Sequence, residues 1–251
     1  MQVRQYFKDE AFYLGDLNTR GVCDNGSSFI CEAFSPSGAT VKAVLINSAN
    51  LMGGDSEPNS LTGFGRVHLE AGLPLNGNGS QSLFVADSSI ARVYSGRNDS
   101  YKFEVGESGV EIRATLAWMD PEADVLAAVQ LMNDLDLKVT SPSGEDFVMW
   151  SSGEADTRNV VERVIIPAEV VEEGTWTIMV TANELITEVQ SYSLVVLGSI
   201  FNGTVIEGED SQAEYSNGSL SSFRVYSWTT WTSTAIALVV ASLFGLYGVA
   251  L

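Results

Sequence analysis

The segments Thr115-Leu116-Ala117-Trp118-Met119-Asp120 and Asn133-Asp134-Leu135-Asp136-Leu137 decide the fold of this chain. In the second segment and just beyond it, Leu135, Leu137 and Val139 alternate with polar residues. A period of two is typical of a β-strand that has one buried face and one face in water. We therefore predict that the polypeptide around these segments folds as an antiparallel β-sheet.

Eight short segments rich in β-branched and aromatic residues extend this prediction to a two-sheet β-sandwich of jelly-roll type. Turn residues separate them, for example Ser141-Pro142-Ser143-Gly144 and Glu172-Glu173-Gly174. The predicted strands are 90–94, 101–105, 112–118, 135–140, 147–150, 160–166, 175–181 and 192–197.

The chain as a whole is predicted to be α+β, with helices before the sandwich and a hydrophobic helix after it. Apolar spacing predicts helices at 1–14, 37–49 and 69–73. The Asn- and Gly-rich segment at 76–80 is a plausible domain boundary. The predicted regions are 1–75 with the helices, 76–198 with the sandwich, a flexible linker at 199–227 and the hydrophobic segment 228–251.

The charge of the chain argues against one class of partner. With 32 acidic and 13 basic residues, the formal net charge is −19. Such a chain repels the phosphates of nucleic acid, so nucleic-acid binding is not expected. The 45% hydrophobic content is sufficient for a folded core.

Several features indicate the secretory pathway and an extracellular or cell-surface location. Cys23 and Cys31 flank a short polar segment, and we predict a disulfide between them; two free thiols in a reducing compartment are the alternative. Acceptor sequons for N-glycosylation occur at Asn25, Asn78, Asn98, Asn202 and Asn217. No apolar run follows Met1, so we expect either no export signal or a chain that begins within a longer polypeptide.

The last residues of the chain predict attachment to a membrane. The segment 233–251 is apolar and contains no charged residue, and Trp228 and Trp231 precede it. Since no basic residue follows the apolar run, we favour a glycolipid-anchor signal, with the small residues Ser216-Asn217-Gly218-Ser219 upstream. A transmembrane helix and a buried core helix are the alternatives.

The order of these motifs resembles the C-terminal part of subtilisin-like serine proteases that carry a jelly-roll domain. The resemblance covers most of residues 1–198. Besides the two opening segments, it rests on Val3-Arg4-Gln5-Tyr6-Phe7, Leu45-Ile46-Asn47-Ser48-Ala49, the Gly-x-Gly-Arg-Val element at 63–67, and Asn159-Val160-Val161-Glu162.

This resemblance implies the C-terminal portion of a secreted or surface-anchored serine endopeptidase that acts on protein or peptide substrates. In the family, the nucleophile lies in a Gly-Thr-Ser-Met-Ala motif that would precede Met1, and the other triad residues lie earlier still. We therefore expect this chain to be inactive alone. Its one histidine, His68, is expected at the surface or in a loop, and Ser27-Ser28 lacks the context of a nucleophile.

A non-catalytic surface protein, whose sandwich binds carbohydrate or protein, is the alternative. A sandwich supports many functions, so fold alone does not separate the two hypotheses. Residues 1–75 distinguish the two hypotheses better. Helices that belong to a protease domain but are separated from it would expose apolar faces, whereas an independent module would bury these faces.

Calcium is the cofactor that the acidic residues suggest. Extracellular calcium is bound by carboxylate, amide and carbonyl oxygens. Asn133 also offers such an oxygen, and the predicted ligands are Asp134, Asp136, Asp156, Asn159 and Glu162. In the alternative, Asp134 and Asp136 cap turns and Glu162 pairs with Arg158 or Arg163. No Cys/His cluster has the spacing of a zinc site.

Overall fold

Two large β-sheets, a small two-stranded sheet and a layer of helices make up the part of the chain that the computed structural model describes. The described residues are 2–8, 19–21, 33–53, 58–74, 81–89, 91–150, 152–153 and 156–207. They all belong to one compact unit, residues 1–212; a second unit, 213–251, lies outside the described residues.

The helices and strands are numbered here in chain order. The helices are α1 (Gln2–Lys8), α2 (Gly38–Asn47), α3 (Leu69–Gly72) and the 3-10 helix Ala168–Val170. The strands are β1 (Thr19–Gly21), β2 (Ala49–Asn50), β3 (Arg66–Val67), β4 (Ser82–Ala86), β5 (Arg92–Tyr94), β6 (Asn98–Val105), β7 (Ile112–Trp118), β8 (Asn133–Thr140), β9 (Asp146–Phe147), β10 (Val161–Ile166), β11 (Gly174–Leu185), β12 (Val189–Gly198) and β13 (Ile200–Glu207).

The sheets confirm a mainly antiparallel sandwich. The first sheet has the order β1-β4-β12-β7-β10, with β5 also paired to β12, and the second has the order β13-β6-β11-β8-β9. Only β1 and β4 pair in parallel among the described strands. From β5 to β12 the chain alternates between the two sheets, except that β8 and β9 are neighbours in the second sheet, and this order fits the predicted jelly roll.

The sheets pack face to face over an apolar core. Trp118 and Tyr192 of the first sheet and Trp176 of the second are among its largest fully buried side chains. The hydroxyl groups of Tyr101 and Tyr192 lie 2.6 Å apart and join the two sheets across this core. On β8, the alternation predicted from the sequence is confirmed: Leu135, Leu137 and Val139 are buried.

A second apolar core lies on the outer face of the first sheet, where the helices pack. It contains Val3, Tyr6 and Phe7 of α1, Ala43 and Val44 of α2, and Leu83, Val85, Ala117, Val161, Val195 and Leu197 of the sheet. The first sheet is therefore buried on both faces. All five residues of β4 are buried, which explains why this strand shows no alternation in the sequence.

A polar cluster ties the start of α2 to the first sheet. Ser37 is the N-cap and accepts a hydrogen bond from the Thr40 amide. Asp87 Oδ2 accepts from the Ser37 amide (2.9 Å) and the Thr40 hydroxyl (2.5 Å), and Ser193 Oγ lies 2.8 Å from Thr40 Oγ1. Burial alone would raise the pKa of Asp87, but the hydrogen bonds from Thr40, Ser37 and Ser89 outweigh it and lower the pKa.

The other end of α2 is also fixed to the sheet. Asn47 Nδ2 donates to the Arg113 carbonyl and to Thr115 Oγ1, both at 3.1 Å. Arg163 Nη1 donates to the Ile46 and Ala49 carbonyls at 2.9 and 2.8 Å, near the negative end of the helix dipole. Burial lowers the pKa of Arg163 to about 10.

The structure differs from the predicted elements in several places, including the short strands β2 and β3, which were not predicted. β4 and the short β1 lie where no strand was predicted, and β13 occupies the first part of the predicted linker by pairing with β6. The strand predicted at 147–150 is reduced to β9. The boundary at 76–80 and the segment 208–251, including the hydrophobic tail, lie outside the described residues. Within the described part, no helix has the length and apolar character needed to cross a membrane.

Replacing Thr40 by valine tests the contribution of the α2 attachment. The change keeps the shape but removes the hydroxyl that serves Asp87, so we expect the free energy of unfolding to fall by about 2 kcal/mol. Denaturant unfolding of wild type and Thr40→Val measures this. Thr177→Val, at a partly exposed strand position, is the matched control and should change stability by less than about 0.5 kcal/mol. Equal stabilities for the two variants would contradict the assigned role.

Candidate functional site

Four carboxylates lie near one another at one edge of the sandwich. Asp134 and Asp136 lie on β8, Asp156 lies in the loop before β10, and Glu162 lies on β10. Asp134, Asp156 and Glu162 are only 8%, 6% and 4% exposed. Buried carboxylates without basic partners are uncommon, so this acidic cluster is the candidate site.

Glu162 reaches from one sheet to the other. β9 covers the edge of β8 only at Val139 and Thr140, so the Leu137 amide lies at an uncovered part of that edge. Glu162 Oε2 accepts a hydrogen bond from this amide at 2.5 Å. The Glu162 side chain thus accepts the hydrogen bond of a backbone amide that β9 leaves unpaired at this edge of β8.

Burial, together with mutual repulsion, raises the pKa values of Asp134, Asp136 and Glu162. Burial raises the pKa of Glu162 to about 8; repulsion by Asp136, Asp156 and Asp134 adds to this, whereas the bond from Leu137 opposes it. Burial first, and then the charges of Asp134 and Asp156, also raise the pKa of Asp136. No cationic side chain of the described residues forms an ion pair with these carboxylates.

The remaining oxygens of the cluster have different partners. Asp134 Oδ2 accepts from Asn183 Nδ2 at 3.1 Å, while Asp134 Oδ1 is buried with no hydrogen-bond partner among the described residues. Burial, followed by repulsion from Asp156, Glu184 and Asp120, raises the pKa of Asp134.

Asp156 caps the turn that leads into β10. Its Oδ1 accepts from the amides of Arg158 and Asn159, and its Oδ2 accepts from Asn159 Nδ2 at 2.7 Å. Turn capping is thus the role of Asp156 rather than of Asp134 or Asp136, which lie within β8. Among the described residues, Glu162 forms no ion pair with Arg158 or Arg163.

The donor types suit calcium, but their positions do not complete a metal site. In the part of the chain that the structure describes, no three His, Cys, Asp or Glu side chains are arranged to hold a metal ion. The oxygens of Asp134, Asp136 and Glu162 are nevertheless the hard ligands that calcium prefers, and one of them, Asp134 Oδ1, is unsatisfied. Calcium binding stays a prediction.

The other predicted residues do not belong to this cluster. Asn98 is exposed at the start of β6, and Asn202 lies in β13 at a register shift between Phe201 and Thr204. His68 is exposed, as expected, with Nδ1 3.2 Å from Asn50 Nδ2.

Several predictions fall on residues that the structure does not describe. They concern Cys23, Cys31, Ser27, Ser28, Asn25, Asn78 and Asn217. The disulfide and these sequons stay predictions.

Sequence analysis did not identify the role of Asp120, which fixes the ends of a loop next to the acidic cluster. Asp120 accepts hydrogen bonds from the amides of Met132 (2.7 Å) and Asn133 (2.9 Å), and so joins the two ends of the β7–β8 loop, residues 119–132. An Asp two residues after a predicted strand was the available signal, but its partners lie more than ten residues away in the chain.

Comparison with known proteins gives a limited result. No protein-family model matches the chain. The chain is 28% identical over 226 residues to a Dictyostelium discoideum protein named serine protease/ABC transporter B family protein tagA. The match takes in 85% of this chain but 12% of that relative. The comparison thus links the chain only loosely to a serine protease.

The raised pKa of Glu162 predicts a specific dependence of stability on pH. Between its ordinary value of 4.5 and about 8, the folded protein keeps a proton that the unfolded chain releases. The free energy of unfolding therefore falls as pH rises through this interval and levels off above it. Glu162→Gln keeps an acceptor for the Leu137 amide but cannot ionise, so its stability loses this fall.

We expect Glu162→Gln to match wild type near pH 4.5 and to exceed its stability by about 4 kcal/mol at pH 8. Urea unfolding across this pH range, in buffer with a chelator, measures the difference. Glu169→Gln, at an exposed position, serves as control and should follow wild type. A constant difference between Glu162→Gln and wild type at all pH values would show that Glu162 is not held protonated.

Proposed function

We propose that this chain is the C-terminal region of a subtilisin-like serine endopeptidase, in which its sandwich and helices form a non-catalytic accessory region. The observation that carries the proposal is the match of 226 residues to a relative named as a serine protease. The motifs named in the sequence analysis, which follow the order typical of the family, support it. The chain spans a small part of that relative, so hydrolysis of protein or peptide substrates is proposed for the longer enzyme only.

The surroundings of the one histidine agree with an accessory role. A serine nucleophile needs an adjacent general base that is itself oriented by a third group. The His68 Nε2 atom lies 4.0 Å from Glu70, and its Nδ1 atom faces Asn50. Among the described residues, no hydrogen bond joins the imidazole ring of His68 to a serine hydroxyl.

The attachment of the helices suggests what the sandwich contributes. α2 is fixed at one end through Asp87 and at the other through Asn47 and Arg163. In the proposed enzyme, the sandwich would hold these helices in place and so stabilise the catalytic domain to which the resemblance assigns them.

A self-contained binding module is the second candidate, and one observation favours it. The apolar residues of α1 and α2 are buried against the first sheet, as an independent module would require. Carbohydrate or protein would be the ligand of such a module.

For either candidate, we propose export to the cell surface and membrane attachment through 228–251. The exposed sequon at Asn98 supports glycosylation of the folded protein.

We also propose calcium as the ion that neutralises the acidic cluster. Rotation of side chains must bring the carboxylates of Asp134, Asp136 and Glu162 around the ion, with Asp156 and Asn159 completing the set. The raised pKa values and the unsatisfied Asp134 Oδ1 support this proposal, since a divalent cation would relieve both.

A fluorophosphonate probe, which reacts covalently with activated serine nucleophiles, tests the protease proposal. We expect no labelling of the purified chain and labelling of the longer gene product that contains it, because the nucleophile is assigned outside these residues. Heat-denatured longer product is the control. Labelling of the chain itself, lost in Ser27→Ala or Ser28→Ala, would contradict the accessory role; an unlabelled longer product would favour the binding module.

Thermal unfolding with calcium or with a chelator tests the metal proposal. A ligand that binds only the folded state stabilises it by roughly 3 kcal/mol at one hundred times its Kd, so calcium should raise the Tm of the chain by several degrees. The double variant Asp134→Asn/Asp136→Asn should lose this shift, whereas Glu169→Gln should keep it. Equal Tm values of wild type with calcium and with chelator would overturn the proposal.

A further inference from the structure

The β7–β8 loop presents an unusual number of aliphatic side chains to solvent. Val125 and Leu126 are 93% and 92% exposed, and Met119 and Val129 are 69% and 61% exposed. Single exposed aliphatic residues are common on protein surfaces, but several in one loop mark an interaction site.

Hydrogen bonds give the tip of this loop a defined shape. Asp124 Oδ1 accepts from the Leu126 amide (3.1 Å), and the Asp124 carbonyl accepts from the Ala127 amide (2.9 Å). Gln130 Nε2 then donates to the Ala127 carbonyl at 2.8 Å. This turn displays Val125 and Leu126 side by side, so little conformational entropy is lost when a partner binds them.

The neighbouring connection between β11 and β12, residues 186–188, enlarges the apolar surface. The Ile186 amide donates to the Met132 carbonyl at 3.2 Å, and Gln190 Nε2 donates to the Met119 carbonyl at 3.2 Å. The side chain of Ile186 is 65% exposed. We call the surface formed by Met119, Val125, Leu126, Val129 and Ile186 the apolar tip.

Acidic residues surround the apolar tip. The β7–β8 loop contains Asp120, Glu122 and Asp124 but no Lys or Arg, while Glu184 lies near the end of β11 and Glu188 in the β11–β12 connection. Asp120 and Glu184 are also close enough to Asp134 to raise its pKa, so the acidic cluster lies beneath the same end of the sandwich. This charge repels an anionic membrane surface and a second copy of the chain, and it attracts cationic groups.

We propose that the apolar tip binds an exposed protein segment in which large apolar side chains alternate with Lys or Arg. The apolar side chains pack against Val125 and Leu126, and the basic side chains meet the surrounding carboxylates. This interaction does not depend on the proposed protease link, because it uses only residues of the β7–β8 loop and of the adjoining β11–β12 region.

Fluorescence anisotropy with three labelled peptides tests the proposal on the whole chain, in buffer with a chelator. The peptides share a Gly/Ser framework and carry Leu and Arg, Leu and Glu, or Ser and Arg. The test variant is Val125→Ser/Leu126→Ser. Leu61→Ser is the matched control, since Leu61 is 93% exposed but lies in a different turn.

We expect the Leu/Arg peptide to bind wild type and Leu61→Ser with equal affinity. It should bind Val125→Ser/Leu126→Ser at least about tenfold more weakly. The Leu/Glu and Ser/Arg peptides should bind wild type at least about tenfold more weakly than Leu/Arg. An unchanged Tm of the double variant verifies that it is folded.

Four outcomes would overturn the proposal. Equal affinity of the double variant and wild type for the Leu/Arg peptide would exclude the apolar tip, and equal affinity of wild type for Ser/Arg would reduce the binding to charge alone. Sedimentation with phosphatidylcholine vesicles that is lost in the double variant would assign the tip to a membrane. Concentration-dependent dimerisation that is lost in the double variant would assign it to a second copy of the chain.

Discussion

Burial of the first sheet on both of its faces is the constraint on which the rest of the structure depends. One face packs against the second sheet and the other against α1 and α2, so strands such as β4 have no face in water. Polar groups in this layer must find partners within the protein. Thr115 and Ser193 do so through Asn47 and Thr40, and these hydrogen bonds determine where α2 lies on the sheet.

Two buried acids show how strongly the number of donors decides the state of a carboxylate. Asp87 accepts from two amides and a hydroxyl, and its pKa is lowered despite burial. Glu162 accepts from one amide and faces three other carboxylates, and its pKa is raised to about 8. The first acid stabilises the packing of a helix, whereas the second retains a proton at the edge of the sandwich up to about pH 8.

Strands that alternate, such as β8, were predictable from the sequence because each has one wet face. β4 was not predictable in this way, because a strand buried on both sides lacks the period of two. β13 was not predictable because its sequence resembles a linker.

The clustering of the acidic residues could be predicted from motif spacing. The alternative, an ion pair between Glu162 and Arg163, does not form. Adjacent residues of a strand point to opposite faces, so Arg163 reaches α2 while Glu162 reaches β8. The apolar tip was missed because exposure of Val125 and Leu126 depends on a turn built by Asp124.

The position of β12 between β4 and β7 has a consequence for how the molecule folds. This strand is the last of the first sheet in the sequence, yet it joins that sheet's two halves and supplies Val195 to the core under α1. Until it emerges from the ribosome, β4 and β7 have unpaired edges and the first helix has no complete surface to cover. Folding must therefore wait for contacts between residues nearly two hundred positions apart, which makes the process slow and leaves the nascent chain open to aggregation or to binding by chaperones.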